Sequence, residues 1–251
     1  MSYIQKDFKV ISNTCLTDGI FEMVIDCPEV ASISKPGQFI NITCGEKVLR
    51  RPISICRITD KTLTIVFQVK GEGTKWLSER KADDTVNVLG PLGNGFDLTN
   101  AGKAVFIGGG IGVPPMLQSC LSYEGPKDVI LGFRGKNNII LEERFECDNL
   151  YIATEDGSVG TKGYVTDVLK DIIADCDVIF SCGPIPMLRS IAKLAADNNK
   201  LCYISMEERM GCGIGACLSC ACKVKKNGEE DFFHVCKHGP VFNAAEVSFD
   251  G

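Results

Sequence analysis

Cys212, Cys217 and Cys220 form a C-x4-C-x2-C run, and Cys236 follows further along the chain. A packed core has no need of thiols at such a spacing. Two irons bridged by two sulfides need four thiolates, and this is the plant-type [2Fe–2S] spacing. A tight loop supplies three of them. Gly211, Gly213 and Gly215 let that loop curl, so that its backbone N–H groups face the sulfurs and raise the reduction potential. The fourth ligand must return from elsewhere. A hairpin of Ala221–Val224 and Phe232–Val235, turning at Asn227-Gly228, would bring Cys236 back. A structural zinc site usually joins C-x2-C to a second close pair, whereas here the two gaps share a cysteine. Two alternatives stay open. Cys222 lies two residues from Cys220, on the same strand face, and competes with Cys236. His234 and His238 flank Cys236, but no C-x-H pair accompanies them, so Rieske-type ligation is not expected.

The rest of the composition bounds the class. A chain of 251 residues fits about two domains plus an appendage. It is 45% hydrophobic and 24% charged, which is ordinary for a soluble globular protein. The net charge is -5 and no Lys/Arg run stands out, which argues against nucleic acid or an acidic membrane surface as a partner. The segment MSYIQKDFKV has no apolar core of signal-peptide length, and no window approaches 18 uninterrupted apolar residues. A cytoplasmic protein is expected. Of the 14 cysteines, those before residue 200 are scattered singly and read as buried, reduced hydrophobes. The others crowd into residues 202–251, which implies a metal site and a reducing compartment.

Three regions follow from the hydrophobic patterning. Residues 1–100 read as short strands: Phe8–Asn13, Ile20–Ile25, Gln38–Ile42, Ile53–Ile58, Leu63–Val69 and Thr85–Val88. Pro36-Gly37 and Pro91-Leu92-Gly93 punctuate them, and one helical stretch is expected at Lys75–Arg80. This pattern predicts a small antiparallel β-barrel. In residues 101–201, apolar runs at Ala104–Ile107, Val129–Phe133, Leu150–Ala153 and Val178–Ser181 alternate with helical windows at Pro114–Ser122, Gly163–Asp171 and Pro186–Asn198. Such alternation predicts a parallel sheet wound by helices, an αβα nucleotide-binding domain. Residues 202–251 form the cysteine-rich, [2Fe–2S]-binding segment.

Arg51-Pro52-Ile53-Ser54 is the second motif. A guanidinium holds a flavin pyrophosphate bidentately, proline fixes the strand entry, and a serine hydroxyl reaches the isoalloxazine edge. Alone it reads equally as a surface arginine before an edge strand. Gly71-Glu72-Gly73-Thr74 follows, with glycines at a helix start and Thr74 as its cap, which makes an anion site. The third motif, Gly108-Gly109-Gly110-Ile111-Gly112-Val113-Pro114-Pro115, follows a strand and opens a helix, as a phosphate-binding turn does. Pro115 stands where the usual fingerprint has Gly or Ala, so Gly110 and Gly112 carry the turn. Cys182-Gly183-Pro184 ends another strand of the same sheet.

The G-x-G-x-x-P turn resembles that of the ferredoxin–NADP reductase superfamily, where a Cys-Gly-Pro segment lies beside nicotinamide and flavin. That resemblance implies a nicotinamide-pocket role for Cys182, with packing as its alternative. The order of all the motifs, over essentially the whole chain, resembles the electron transfer subunits of class 1B, NAD-dependent dihydroorotate dehydrogenases. The segments that carry the likeness are Arg50–Ile55, Met210–Cys217 and Cys236–Phe242. The resemblance implies FAD, one [2Fe–2S] cluster, NAD as co-substrate, and an FMN-containing catalytic subunit as partner in a heterotetramer of two of each. It implies FAD contacts from Arg51, Pro52, Ile53, Ser54, Val66, Phe67, Gln68, Gly73 and Thr74. Cys212, Cys217, Cys220 and Cys236 would hold the cluster.

On this reading electrons run from the partner's FMN through the cluster to FAD and then NAD+, in pyrimidine (UMP) biosynthesis, and no side chain acts as acid or base. FAD converts between the paired electrons of a hydride and the single electrons of a cluster. The nearest rival is the flavin/[2Fe–2S] subunit of an NADH-dependent ferredoxin–NADP reductase or sulfide dehydrogenase, where a carboxylate often replaces one cluster cysteine. A non-catalytic metal-binding protein would make the Arg51 and Gly108 motifs coincidences. Sequence alone does not set NAD against NADP. Arg134 follows a strand where a cation would hold a 2′-phosphate, whereas the family precedent favours NAD and makes it a solvated surface residue.

Overall fold

The computed structural model describes residues 3–99, 102–226 and 229–249, with only the backbone of Lys226. Strands β1 (Ile4–Thr17), β2 (Ile20–Asp26), β3 (Phe39–Ile42), β4 (Arg51–Ile58), β5 (Thr62–Gln68) and β6 (Thr85–Leu92) close into a barrel. Every described strand pair in it is antiparallel. Alternation explains the closure. Ile40, Ile42, Ile53, Ile55, Leu63 and Ile65 send buried side chains inward. Residues on the other face meet the rest of the chain. Phe39 and Leu92 pack towards the C-terminal segment, and Cys56 and Val66 pack towards the nucleotide sheet.

Two short helices decorate the barrel, α1 (Pro28–Ala31) and α2 (Glu72–Ser78). The stretch expected at Lys75–Arg80 thus begins three residues earlier. Thr74 is not its cap. Gly71 holds the N-cap position, and the Thr74 hydroxyl accepts from Gly71 N at 3.2 Å and Lys70 N at 2.9 Å. The hydroxyl reaches back to donors that precede the helix.

The second sheet contains β7 (Ala104–Gly109), β8 (Lys127–Phe133), β9 (Asn149–Thr154), β10 (Thr161–Lys162), β11 (Val178–Cys182), β12 (Leu201–Ser205) and β15 (Val241–Asn243). Its order is β10-β9-β8-β7-β11-β12-β15, parallel except for the antiparallel β15. Helix α3 (Val113–Leu121) covers one face, where Val113, Met116 and Leu117 join Phe106, Phe180 and the barrel's Val66. Helices α4 (Val165–Ile172) and α5 (Ile185–Asp197) cover the other. Between β12 and β15 lie the cysteine loop, the hairpin β13 (Ala221–Lys226) and β14 (Glu229–His234), and the one-turn helix α6 (Val235–His238).

The parallel sheet continues past residue 201, where the sequence pattern was expected to give way to the cluster segment. Strand β12 pairs with β11 from Leu201 to Ser205, and the cluster segment returns β15 to its edge. The expected boundary at 100/101 and the expected turn at Asn227-Gly228 lie outside the described residues.

The cysteines before residue 200 are free thiols, and most of them are buried. Burial pushes Cys27, Cys56, Cys120 and Cys182 up to about 12. At pH 8 each is therefore almost wholly protonated and inert to alkylation. Iodoacetamide at pH 8 is expected to label the exposed Cys15 in the folded chain and to spare these four until denaturant is added. Rapid labelling of Cys56 or Cys182 without denaturant, read by peptide mass spectrometry, would contradict the packing.

Candidate functional site

A cleft of about 420 Å³ opens between the barrel and the second sheet. Strand β4 supplies Arg51, Pro52, Ile53 and Ser54 to its wall, and β5 supplies Val66, Phe67 and Gln68. These two strands pair, so two separate sequence stretches become one surface. Thr74 lines the cleft as well. Gly73 leaves room for the guanidinium: a Cβ there would lie 2.6 Å from Arg51 Nε and would make the arginine side chain shift. Its absence seats the guanidinium beside the start of α2, with Lys70 on the same wall. Arg51 Nη1 donates to the Leu49 carbonyl at 2.5 Å, which fixes the group in place. One end of the cleft is thus cationic, and its body is lined by apolar side chains. Those are the needs of a pyrophosphate joined to a flat ring system, and FAD fits them.

The opposite wall was only partly legible in the sequence, since Ile111, Met210 and Pro240 fall in the motif segments and its other residues do not. Ile111, Ser205, Met206, Glu207, Met210 and Pro240 form it. Ser205 to Arg209 lead from β12 into the cysteine loop, a stretch with neither periodicity nor motif. Met206 N donates to the Pro240 carbonyl at 2.8 Å, which ties this stretch to the segment after Cys236.

Gly110, Gly112 and Cys182 do not line this cleft; of their neighbours, Ile111 does. Gly110 has φ +53 and open space where a side chain would sit. A Cβ on Gly112 would lie 2.3 Å from the Cys182 carbonyl oxygen, so the turns after β7 and β11 touch backbone to backbone. Cys182 is fully buried. Burial raises its thiol, the nearby Glu207 carboxylate raises it further, and a hydrogen bond with Ser205 lowers it. A second cleft of about 290 Å³ lies beyond the carboxyl ends of β8 and β9, lined by Arg134, Lys136, Asp156 and Ser158 among others. Ser158 Oγ and N donate to Asp156 at 2.6 and 2.9 Å, which hold its carboxyl below the usual range.

The four motif cysteines come together. Cys217 N and Ala216 N donate to Cys212 Sγ at 3.3 and 3.2 Å. Gly215 N donates to Cys236 Sγ at 3.1 Å, and the sulfurs of Cys220 and Cys236 are 3.3 Å apart. Gly213 and Gly215, at φ +75 and +81, give the loop the left-handed turns that aim these donors inward. Among the described residues no three His, Cys, Asp or Glu side chains are arranged to hold a single metal ion. The thiols fall instead into two pairs, Cys212 with Cys217 and Cys220 with Cys236. That suits two irons, each held by two thiolates. Hydrogen bonds from Ser219 lower the Cys217 thiol to about 6, whereas burial raises Cys236 to about 12.

Cys222 faces Phe233 across the hairpin and is packed in an apolar core. Its thiol is raised to about 11, chiefly by burial. Of the two histidines, His234 N donates to His238 Nδ1 at 3.0 Å, and the His238 ring packs on Phe233 at 4.8 Å.

An antiparallel barrel sharing a cleft with a parallel nucleotide-type sheet defines a ferredoxin reductase-like fold. A solved NADH-dependent reduced ferredoxin–NADP oxidoreductase superposes on it with a TM-score of 0.87 and 28% identity, over 97% of this chain and 90% of that one. A family profile described as the iron-sulfur cluster binding domain of dihydroorotate dehydrogenase B matches residues 207–248. The dihydroorotate dehydrogenase B (NAD(+)) electron transfer subunit of Caldanaerobacter subterraneus subsp. tengcongensis is 41% identical over 244 residues, 96% of this chain and 97% of that one. Its counterpart in Bacillus cereus (strain B4264) is 43% identical over 251 residues, 95% of this chain and 96% of that one. The chain belongs to the family of dihydroorotate dehydrogenase B (NAD(+)) electron transfer subunits.

The contact between Gly112 and Cys182 gives a direct check on this geometry. Gly112→Ala must force the two turns apart, an overpacking cost of about 1–3 kcal/mol. The unfolding midpoint in urea is expected to fall accordingly. An unchanged midpoint would mean that the turns do not meet as described.

Proposed function

We propose that this chain passes electrons from an FMN-containing dihydroorotate dehydrogenase catalytic subunit to NAD+, in de novo pyrimidine biosynthesis. The observation that carries the reading is the pairing of four cysteines, three on a loop that leads directly from the wall of the Arg51 cleft and the fourth in α6. Its identity with relatives named for this role, 41 to 43% over nearly the full chain, supports it. The four-cysteine set favours it over the subunit of an NADH-dependent ferredoxin–NADP reductase or sulfide dehydrogenase.

In this reading the Arg51 guanidinium and the start of α2 hold the FAD pyrophosphate, and Pro52 to Ser54 and Val66 to Gln68 bed its ring. Cys212, Cys217, Cys220 and Cys236 hold the [2Fe–2S] cluster. Gly110, Gly112 and Cys182 shape the nicotinamide end of the NAD site, and the Arg134–Asp156 cleft takes its adenosine end. Bound there, FAD would supply two-electron hydride exchange with the nicotinamide and the cluster would supply single-electron transfer. The chain's own part is placement and shielding, with no acid or base among its side chains. The division of labour is FAD in residues 1–100, NAD in 101–201 and the cluster in 202–251, with β12 and β15 of the last segment completing the nucleotide sheet.

The working assembly is a heterotetramer of two of each subunit. The reading places it in the cytoplasm. The free cysteines support a reducing compartment, and no helix among the described residues is long and apolar enough to cross a membrane.

Three measurements test this. Arg51→Ala removes a charge-assisted phosphate contact worth about 1.5–3 kcal/mol, so flavin affinity is expected to fall roughly ten- to a hundredfold; unchanged flavin affinity overturns the FAD assignment. Cys236→Ser is expected to lose or alter the iron content and paramagnetic signal, while Cys222→Ser keeps both; the reverse result reassigns the fourth ligand. Finally, the chain alone is expected to reduce artificial dyes with NADH yet fail to turn over dihydroorotate with NAD+, and adding the FMN subunit is expected to restore that reaction. Dihydroorotate oxidation by this chain alone would refute the proposal.

A further inference from the structure

Strand β3 alternates between two environments. Ile40 and Ile42 point into the barrel core, while Phe39 packs on the outer side, in the same apolar cluster as Cys220 and Cys236. Asn41 shares the outer face of the strand with Phe39. It is completely buried, and neither its Nδ2 nor its Oδ1 has a hydrogen-bond partner, sulfur acceptors included. Among the described residues no other buried side chain has two polar atoms without a partner. Native interiors seldom tolerate this, and where they do something other than the polypeptide commonly supplies the partner.

The position of the carboxamide says what that partner is. A Cβ built on Gly213 would lie 2.6 Å from Asn41 Nδ2 and 3.4 Å from Leu92 Cδ1. Gly213 follows Cys212 within the cysteine loop, so this loop lies directly over the amide. Leu92 beside it offers no acceptor. The loop's own N–H groups at residues 215, 216 and 217 already point at cysteine sulfurs, and Asn41 adds a donor from the barrel. The same strand reaches the Arg51 cleft, because Phe39 lines that cleft and pairs with Ser54.

We propose that the Asn41 carboxamide donates a hydrogen bond to a sulfur of the [2Fe–2S] cluster held by the Cys212–Cys217 loop, and so raises the cluster's reduction potential. The inference rests on the reading of the four cysteines as cluster ligands. Asn41 acts as a positioning and tuning residue: a donor aimed at sulfur stabilises the reduced, more negative cluster. It also explains why position 213 carries no side chain, since any Cβ would displace the amide.

The test uses the full chain with flavin and cluster in place, prepared anaerobically. Asn41→Leu keeps the volume and removes the donor. Iron and flavin contents are expected to match the wild type, and one-electron reduction of the cluster is expected to become about tenfold less favourable, a fall of about 59 mV in an EPR-monitored titration. A purely structural role would move the unfolding midpoint and leave the potential alone. Pulsed EPR of the wild-type chain labelled with 15N-asparagine is expected to show coupling between the reduced cluster and a side-chain nitrogen, lost in Asn41→Leu. This keeps the test decisive where the variant folds poorly, because a wild-type cluster without such coupling overturns the proposal. An intact cluster with unshifted potential in Asn41→Leu also overturns it, and leaves the ligand assignment standing. A wild-type chain that holds no iron overturns both.

Discussion

Everything this chain does depends on close approach within and between its three parts, and small residues make that approach possible. A Cβ on Gly93 would lie 2.8 Å from the Gly239 carbonyl and 2.5 Å from Pro240, where the end of the barrel meets the segment after Cys236. Asn94 N donates to the Gly239 carbonyl at 2.6 Å, and its side chain donates to the carbonyls of Lys237 and His238. Gly112 meets Cys182 within the nucleotide sheet, and Gly213 meets Asn41 between the loop and the barrel. A side chain at any of these positions would push apart elements that must hold two redox groups and a nucleotide within reach of one another. Preorganised contacts of this kind are how a protein contributes to chemistry that belongs to its cofactors.

Charge follows the same plan. Arg51 and Lys70 stand on the cleft wall near the start of α2, whereas Glu207 and Glu208 stand where the cleft runs into the cysteine loop. Around the cysteines, backbone N–H groups and the Ser219 hydroxyl supply polarity. A cluster held there would be tuned by dipoles that the loop's own curl fixes in direction, and those dipoles do not change with pH.

Much of this was legible in the sequence, for a physical reason. Barrel strands announce themselves by alternation, as Leu63 to Phe67 do, and parallel strands by short apolar runs bounded by glycine, as Ala104 to Ile107 do. Cysteine spacing is legible because a metal cluster dictates it. What stayed hidden involves contacts between distant segments. Strand β12 was missed because Leu201 to Ser205 is short and runs straight into the Cys- and Gly-rich segment, and its pairing with β11 is what makes it a strand. The start of α2 was misplaced because Thr74 reads as a cap, although its hydroxyl works from inside the helix. The wall from Ser205 to Glu208 carries no motif at all. Asn41 looks like an ordinary strand residue until the loop at Gly213 is seen to lie over it.

The central claim is that one chain joins a hydride carrier to a one-electron carrier through neighbouring sites. Anaerobic reduction of the purified chain by NADH, followed at once by visible absorbance and EPR, tests it most directly. The account predicts that the flavin bands bleach and that a reduced [2Fe–2S] signal appears in the same sample, without any partner subunit or mediator. Flavin bleaching with iron present but no cluster signal, at a potential where the cluster can be reduced by dithionite, would contradict it.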